Sequence, residues 1–187
     1  MQAIQQFFIL VILFLTPFRL WAEGSQFRFE PIYGIETSLV RYPEPPHYVT
    51  RGTYGARALY GTTLLSGEAE YTTARSHQTL GNPDREIDDV IQRGNLGVRS
   101  TFPMNQYFSA YLRGGGSANK GETKVTTAGV SETHTNNLRF DPYAGAGLHL
   151  GFDQLFSLTA GATLIRNAIG KYDTQYTLGV SAGFGSK

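Results

Sequence analysis

The stretch LRFDPYAGAGLHLGF, from Leu138 to Phe152, alternates between two kinds of residue along its whole length. Its even positions are apolar, whereas its odd positions carry charged residues, Tyr143, His149 or glycine. Because successive side chains of a β-strand point to opposite faces, this period of two predicts one long strand with an apolar face and a polar face. The fold then depends on which of the two faces meets water.

The chain of 187 residues is long enough for one domain, and its composition does not indicate a second. Residues 1–22 contain an apolar run from Phe7 to Phe18, too short for a comfortable membrane span, and end at Ala22 before a polar segment. They are predicted to be a cleaved secretory signal peptide. An uncleaved anchor is the alternative, since no Lys or Arg precedes the apolar run. Residues 23–187 then form the barrel domain described below.

The mature chain is predicted to be electrically neutral, because residues 1–22 carry only Arg19 out of the 16 basic and 15 acidic residues of the whole sequence. A neutral protein is not a general polyanion binder, so nucleic acid is not expected as a partner. The sequence has no cysteine, which excludes disulfides. No mature segment is continuously apolar for about 18 residues, which excludes a bundle of membrane-spanning helices but not a barrel of alternating strands.

Eight segments of period two follow the signal peptide, and the opening stretch is the sixth. Short links join segments two and three, four and five, and six and seven, whereas long polar links join three to four and five to six. Short turns on one rim and long loops on the other are the layout of an outer-membrane β-barrel with both termini in the periplasm. The first long link is predicted to begin a short helix at Asn82 and Pro83, and the second to extend the fifth and sixth strands.

Three features indicate that the apolar face points outward into lipid. The polar face is built from small residues with a few charges, and Lys120, Lys124 and Lys171 are all assigned to loops. Aromatic residues flank the short turns, as Phe102 and Phe108 do. The segments also run to about a dozen residues, against about five or six for ordinary strands. The predicted fold class is therefore an all-β, eight-stranded antiparallel up-and-down transmembrane β-barrel. A soluble lipocalin-like barrel, with the apolar face inward, is the alternative.

The runs FDPYAGAGLHLGF and YTLGVSAGF resemble the small outer-membrane β-barrel family that includes the transmembrane domain of outer membrane protein A and outer membrane proteins X and W. In architecture the resemblance covers the whole mature chain. It implies a Gram-negative outer-membrane protein whose partners are membrane lipid, lipopolysaccharide and the outer-membrane assembly machinery, which reads an aromatic residue at the end of the last strand. Here Phe184 is followed by Gly185, Ser186 and Lys187, a departure from that pattern.

Six charged residues share the polar phase and are predicted to form a cross-strand network in the periplasmic half of the lumen. Each buried charge needs an opposite charge, and the set contains three arginines and three glutamates. Its members are Glu36, Arg57, Glu68, Glu70, Arg99 and Arg113. The network is either a polar plug or a gate that re-pairs to open a path. An eight-stranded interior is just wide enough for side chains to fill it, which favours the plug.

Other candidate sites are less specific. Arg75 and Arg166 lie in the lipid-facing phase near the long-loop rim, where they are either lipopolysaccharide contacts or exposed strand ends. His149 shares its phase with Asp141 and Asp153, which raises lipid A modification as an enzymatic alternative, but its inward direction disfavours a site that acts on lipid. No catalytic residue, metal site or cofactor is predicted, since the remaining histidines lack ligand spacing.

The predicted function is that of a non-enzymatic outer-membrane barrel with a plugged lumen, which supports envelope structure or presents its long loops to an unknown extracellular ligand. The alternative is a small-solute pore or transporter, and a lipid A-modifying enzyme is the more distant one. The sequence names no ligand and no oligomeric state.

Overall fold

The computed structural model of the protein describes residues 25–81, 84–152, 156–167 and 170–184. The predicted signal peptide, its cleavage site and the three residues after Phe184 lie outside this part. Nine antiparallel strands make up most of it: β1 Gln26–Val40, β2 His47–Gly61, β3 Leu65–Gly81, β4 Asp84–Pro103, β5 Phe108–Thr127, β6 Val130–Thr135, β7 Arg139–Gly151, β8 Phe156–Arg166 and β9 Tyr172–Phe184. Among the described residues there is no helix of the length and apolarity needed to cross a bilayer.

Eight of these strands close into a ring. Each strand pairs with its neighbours in the order β4, β3, β2, β1, β9, β8, β7 and β5, and β4 also pairs with β5 to complete the circle. The remaining strand, β6, pairs only with β5 and lies outside the ring. Closure leaves no unpaired sheet edge within the ring, as a structure in lipid requires. The predicted eight-stranded antiparallel barrel is therefore confirmed.

The strands are strongly staggered around the barrel. A row of paired residues that starts at Tyr33 reaches β5 at Lys120 when it is followed through β2, β3 and β4. The same row reaches β5 at Ala110 when it is followed through β9, β8 and β7. A stagger of ten residues over eight strands corresponds to a strand tilt of about 40°. A row of paired residues therefore rises along the barrel axis from strand to strand. Residues that belong to different rows can consequently lie at the same height in the lumen.

The outer surface of the ring is apolar and the inner surface is polar. Leu96, Leu148 and Leu178 are 70%, 55% and 67% exposed on the outside, whereas the polar residues that alternate with them are buried. Phe102 and Phe108, which flank the turn between β4 and β5, also point outward. The direction predicted for the apolar face is thus the one observed. Ile32, Leu59 and Ile165 interrupt the polar phase and turn inward, where they are fully buried.

The two rims of the barrel differ. The short-turn rim carries the connections at residues 62–64 and 104–107, and both β1 and β9 have their terminal ends there, with Phe27 paired to Phe184. At the opposite rim, hereafter the hairpin rim, β3 extends past its last pair with β2, Arg75 with Gly52, and continues to pair with β4. β5 likewise extends past Asn119, its last pair with β7. Residues 76–81, 84–91, 120–127 and 130–135 therefore form a four-stranded projection, called here the hairpin extension.

The hairpin extension corrects two sequence predictions. Asn82 and Pro83, the predicted helix start, lie outside the described residues, but Asp84 onward is strand, so the helix is wrong. Lys120 and Lys124, assigned to a loop, are in β5. Both segments are polar enough to read as loops, yet cross-strand pairing holds them as sheet. The predicted lengthening of the fifth strand is observed, and the chain returns through the separate strand β6 after a tight turn in which Ala128 and Gly129 have φ of 48° and 83°.

Candidate functional site

The lumen near the short-turn rim holds a cluster of paired charges, called here the lower network. Its members are Glu30, Arg57, Glu68, Glu70, Arg99 and Arg113. Arg57 donates to Glu30 at 2.8 Å and to Glu70 at 2.7 Å. Arg113 donates to Glu70 at 2.7 Å and lies 3.2 Å from Glu68. Strands β1 to β5 supply every member, and each of the paired side chains is at most 1% exposed.

Two tyrosines pack the arginines of the lower network from the side. The guanidinium of Arg99 lies 3.7 Å from the ring centroid of Tyr111, and that of Arg113 lies 4.9 Å from the ring of Tyr143. The Tyr143 hydroxyl also donates to Glu68 at 3.2 Å. A cation–π contact between a guanidinium and a desolvated ring is worth about 2 kcal/mol. The aromatic rings therefore fix the arginines in addition to the ion pairs.

A second cluster, the upper network, lies nearer the hairpin rim. Its members are Glu36, Arg51, Asp89, Arg93 and Asp173. Arg93 donates to Glu36 and to Asp173, each at 2.7 Å. Arg51 donates to Asp89 at 2.6 Å and to Glu36 at 3.3 Å. Each carboxylate is thus held by at least one guanidinium, and all five residues are buried.

The upper network corrects the predicted pairing of one residue. Glu36 was assigned to Arg57, Arg99 and Arg113, but it pairs with Arg51 and Arg93 instead. The strand phase places Glu36 inside correctly, yet Glu36 lies six residues further along β1 than Glu30. On a tilted strand that separation moves it to another level of the lumen.

The structure brings the other five predicted members together, and Glu30 takes the place predicted for Glu36. Five network residues were not singled out from the sequence: Glu30, Arg51, Asp89, Arg93 and Asp173. The polar phase of the strands carried the signal for Glu30, Arg51 and Arg93. The sequence gives no such signal for Asp89, because its polar segment resembles a loop and shows no strand phase.

Charges are balanced over the lumen as a whole but not at each level. The part of the lumen that the structure describes contains seven inward arginines and seven inward carboxylates: Arg28, Arg51, Arg57, Arg93, Arg99, Arg113 and Arg139 with Glu30, Glu36, Glu68, Glu70, Asp89, Asp141 and Asp173. The lower level has four arginines against three glutamates, because Arg28 also lies at this level, two residues before Glu30 on the inward face of β1. The upper level has three arginines against four carboxylates. Counted over the described residues, the interior therefore carries one excess positive charge near the short-turn rim and one excess negative charge near the hairpin rim.

A cavity of about 470 Å³ opens above the upper network. Arg51, Asp89, Arg93 and Asp173 form part of its lining, together with residues of the hairpin extension such as Thr123. Its lining includes no member of the lower network. The cavity is thus a vestibule on the hairpin side, of a size that suits small ligands.

His149 is half-buried and inward, paired with Ser109 and Thr159 across the sheet. Asp141 lies at the other end of β7, where its carboxylate accepts hydrogen bonds from Arg139 and Asn119. Asp153 is outside the described residues. The arrangement brings no described carboxylate to His149 in the manner of a hydrolase base. Within the described ranges, no group of three or more His, Asp or Glu side chains could hold a metal ion.

Arg75 and Arg166 lie on the outer surface at the hairpin rim, as their phase predicts. Arg75 is in the last β2–β3 pair, and Arg166 ends β8 opposite Tyr172. The Arg75 guanidinium lies 6.0 Å from the ring centroid of Tyr54. Both side chains are exposed.

Solved structures of outer-membrane barrels share this fold. Ail, the attachment invasion locus protein of Yersinia pestis in complex with the heparin analogue sucrose octasulfate, matches with a TM-score of 0.61 and 15% identity over 87% of this chain and 99% of that chain. Neisserial surface protein A matches with a TM-score of 0.59 and 15% identity over 87% of this chain and 100% of that chain.

The outer membrane protein OprG from Pseudomonas aeruginosa also matches, with a TM-score of 0.55 and 10% identity over 87% of this chain and 97% of that chain. No protein-family model and no curated protein sequence matches the chain. At these identities the likeness concerns the fold, which is that of small eight-stranded outer-membrane β-barrels.

Proposed function

We propose that this chain, which has the fold of the small eight-stranded outer-membrane β-barrel proteins, is a non-enzymatic protein of the Gram-negative outer membrane. In this proposal its barrel supports the envelope, its lumen is closed by side chains, and its hairpin extension makes surface contacts. The observation that carries the proposal is the pair of ion networks that fills the barrel interior. Their arginine and glutamate side chains have almost no exposed area.

The outer surface supports residence in a membrane. Large apolar side chains cover the outside of the ring, including Tyr60, Phe102 and Phe156 toward the short-turn rim and Tyr48, Phe140 and Tyr172 near the hairpin rim. Aromatic residues at two levels match the headgroup regions on either side of a bilayer. We assign the short-turn rim, and with it both ends of the barrel, to the periplasm. The hairpin extension then projects from the cell, and β9 is the strand that we expect the assembly machinery to read.

The lower network supports a closed lumen. To open a path, Arg57 would have to leave both Glu30 and Glu70 while buried from water. Removing one partner of a buried ion pair costs about 3–5 kcal/mol, because the remaining charge is left uncompensated. A path through the lower network would break several such pairs at once. Thermal fluctuations rarely supply that energy, so the plug is the favoured role.

The hairpin extension supports surface recognition. It stands clear of the ring, and the six residues of β6 are all exposed along one edge. Exposed segments held on a rigid scaffold are common recognition sites. The structural neighbour Ail is described with a heparin analogue. For this chain we propose lipopolysaccharide at Arg75 and Arg166 and an extracellular ligand at the extension, with the ligand unnamed.

The absence of enzymatic activity is also part of the proposal, and the surroundings of His149 support it. Its neighbours across the sheet are Ser109 and Thr159, with the carboxylate of Asp141 at the far end of the strand. Mass spectrometry of lipid A from cells that overexpress the protein tests this point. An unchanged mass is expected, and a shifted mass that requires His149 would contradict it.

Planar-bilayer recording with the purified mature protein tests the closed lumen. We expect no discrete conductance steps from the wild-type protein. Steps that persist after repurification, and that grow when Arg99 is replaced by Ala, would favour the pore or transporter instead. Heat-modifiable gel mobility supplies the control for folding, so a missing signal from unfolded protein is recognised as such.

A further inference from the structure

Only part of the Arg99 guanidinium makes hydrogen bonds to described residues. Its Nη1 donates to Glu30 at 3.1 Å, and one face of the group lies against Tyr111. Its Nε and Nη2 are buried and have no acceptor among the described residues. The Arg99 side chain is 0% exposed. Two charged N–H donors are therefore held out of bulk water and aimed into the lumen.

These two donors form one edge of the guanidinium plane. Nε–H and the adjacent Nη2–H project side by side, in the geometry that pairs with two oxygens of a carboxylate or a phosphate. Each described carboxylate of the lower level already has an arginine partner, and Glu68 Oε2, which accepts no hydrogen bond, lies 3.6 Å from Arg57 Nε. Glu30 is shared between Arg57 and Arg99, and the other two glutamates of the lower network pair with Arg57 and Arg113. The open edge of Arg99 is thus a pair of parallel N–H donors that has no carboxylate partner among the described residues.

Three further donors lie at inward positions toward the same rim of the lumen. Arg28 Nε, Thr101 Oγ1 and Ser181 Oγ are buried, again without a partner in the described ranges. Thr101 follows Arg99 by two residues on the inward face of β4. Arg28 is paired with Gly183, which places Ser181 diagonally beside it on β9. Strands β1, β4 and β9 therefore each place an N–H or O–H donor inside the lumen toward the short-turn rim.

The charge at this level has the sign that an anion needs. Arg28 adds a fourth arginine to the three of the lower network, against three glutamates. Arg28 lies two residues before Glu30, the partner of Arg99, on the same inward face of β1. One bound anion of a single charge would balance the level. Access is from the short-turn rim, where His149 and Ser109 are partly exposed.

We propose that the short-turn end of the lumen binds a small oxyanion, a carboxylate or a phosphate, through the open edge of Arg99 with Arg28, Thr101 and Ser181 as further donors. The site is separate from the surface contacts proposed above and does not depend on them. It needs only the lumen geometry, so it holds whether or not the hairpin extension recognises a ligand.

Calorimetric titration of the refolded protein in detergent micelles tests the site, with inorganic phosphate and acetate as probes and chloride as the comparison anion. Saturable binding of phosphate or acetate is expected, with chloride weaker because one atom cannot occupy two parallel donors. Replacing Arg99 with Lys keeps a positive charge opposite Glu30 but removes the planar edge. We expect R99K to weaken oxyanion binding about tenfold or more, the loss of one charge-assisted contact.

The variants R75K and S181A complete the test. R75K makes the same change on the outer surface, and we expect it to bind as the wild type does. S181A removes a donor without breaking an ion pair, so it weakens binding even if R99K fails to fold. The proposal is overturned if the wild-type protein shows no saturable oxyanion binding, if chloride binds equally well, or if every folded lumen variant binds like the wild type.

Discussion

The hydroxyl group of Tyr111 occupies the space that a methyl group on Gly161 would need. Tyr111 projects from β5 across the lumen, and Gly161 lies on β8, on the far side of β7. A methyl group on Gly147 of β7 would also clash with the ring of Tyr111. Gly147, in the opening stretch, and Gly161 therefore leave the space that the Tyr111 ring fills. That ring in turn packs against Arg99 of the lower network.

Replacing Gly161 with Ala is expected to destabilise the barrel by about 1–3 kcal/mol, since an added methyl group in a packed core forces its neighbours to move. Urea unfolding in micelles measures the loss. Gly116→Ala is the matched control, because a Cβ there meets nothing within 4 Å, and it should be near neutral. Adding Tyr111→Phe should recover part of the loss in the double variant. Equal stability of the two glycine variants would contradict the packing described.

Replacing Glu70 with Gln is expected to destabilise the protein by about 3–5 kcal/mol, because two buried guanidiniums lose their shared anion. Glu70 accepts from Arg57, from Arg113 at 2.7 Å and from Asn95 at 2.6 Å. The same unfolding measurement applies, with Glu122→Gln in the exposed part of β5 as the control, expected within about 0.5 kcal/mol of the wild type. A Glu70 variant as stable as that control would show that the lower network contributes little.

The hairpin extension is expected to respond to pH through His77. Its Nδ1 lies 2.7 Å from an Asp88 carboxylate oxygen, and this hydrogen bond, together with the charge of Asp88, raises the pKa of His77 above its usual range. Because the pKa of His77 is raised in the folded state, the His77–Asp88 pair stabilises the folded protein fully below the ordinary imidazole pKa of about 6.5. This stabilisation is lost as the pH rises through the raised pKa. NMR titration of the ring measures this pKa. Asp88→Asn should lower it, and an unchanged value would contradict the pairing.

Lipopolysaccharide binding is expected to fall when Arg75 and Arg166 are both replaced by Gln. Each charge-assisted contact with a phosphate is worth about 1.5–3 kcal/mol, so losing both should weaken binding at least tenfold. Binding to immobilised lipopolysaccharide from mixed micelles gives the measurement. Gln92→Ala changes an exposed outward residue of β4 without a change of charge and serves as the control. Equal binding by both proteins would assign the two arginines to solvent-exposed strand ends.

The strand phase in the sequence carries most of the fold. Alternation predicts which side of each ring strand faces the lumen, and it holds for Arg57, Glu70 and Arg113 as well as for the outward phenylalanines. Ile32, Leu59 and Ile165 are apolar residues at inward positions. Their polarity breaks the pattern, but their direction follows it, because the pleat of the strand turns them inward. Periodicity is a local property, and one strand suffices to display it.

The level of each residue in the lumen could not be predicted in the same way. Glu36 and Glu30 share a strand and a phase, yet they belong to different networks. Level depends on the ten-residue stagger of the ring, which is set by pairing between strands distant in sequence. Asp89 and Lys124 show the second limit. Polar strands beyond the membrane lack an apolar face, so they cannot be distinguished from loops until their partners are known.

The direction of the apolar face is the claim on which the account rests, and single-cysteine fluorescence quenching tests it most directly. The chain has no cysteine of its own, so one label can be placed at Leu178, which points outward, or at its neighbour Thr177, which points inward. In vesicles, a label at Leu178 should be quenched by brominated lipid chains, and a label at Thr177 should not. Quenching of the Leu178 label by an aqueous quencher, with no effect of brominated lipid, would contradict the account.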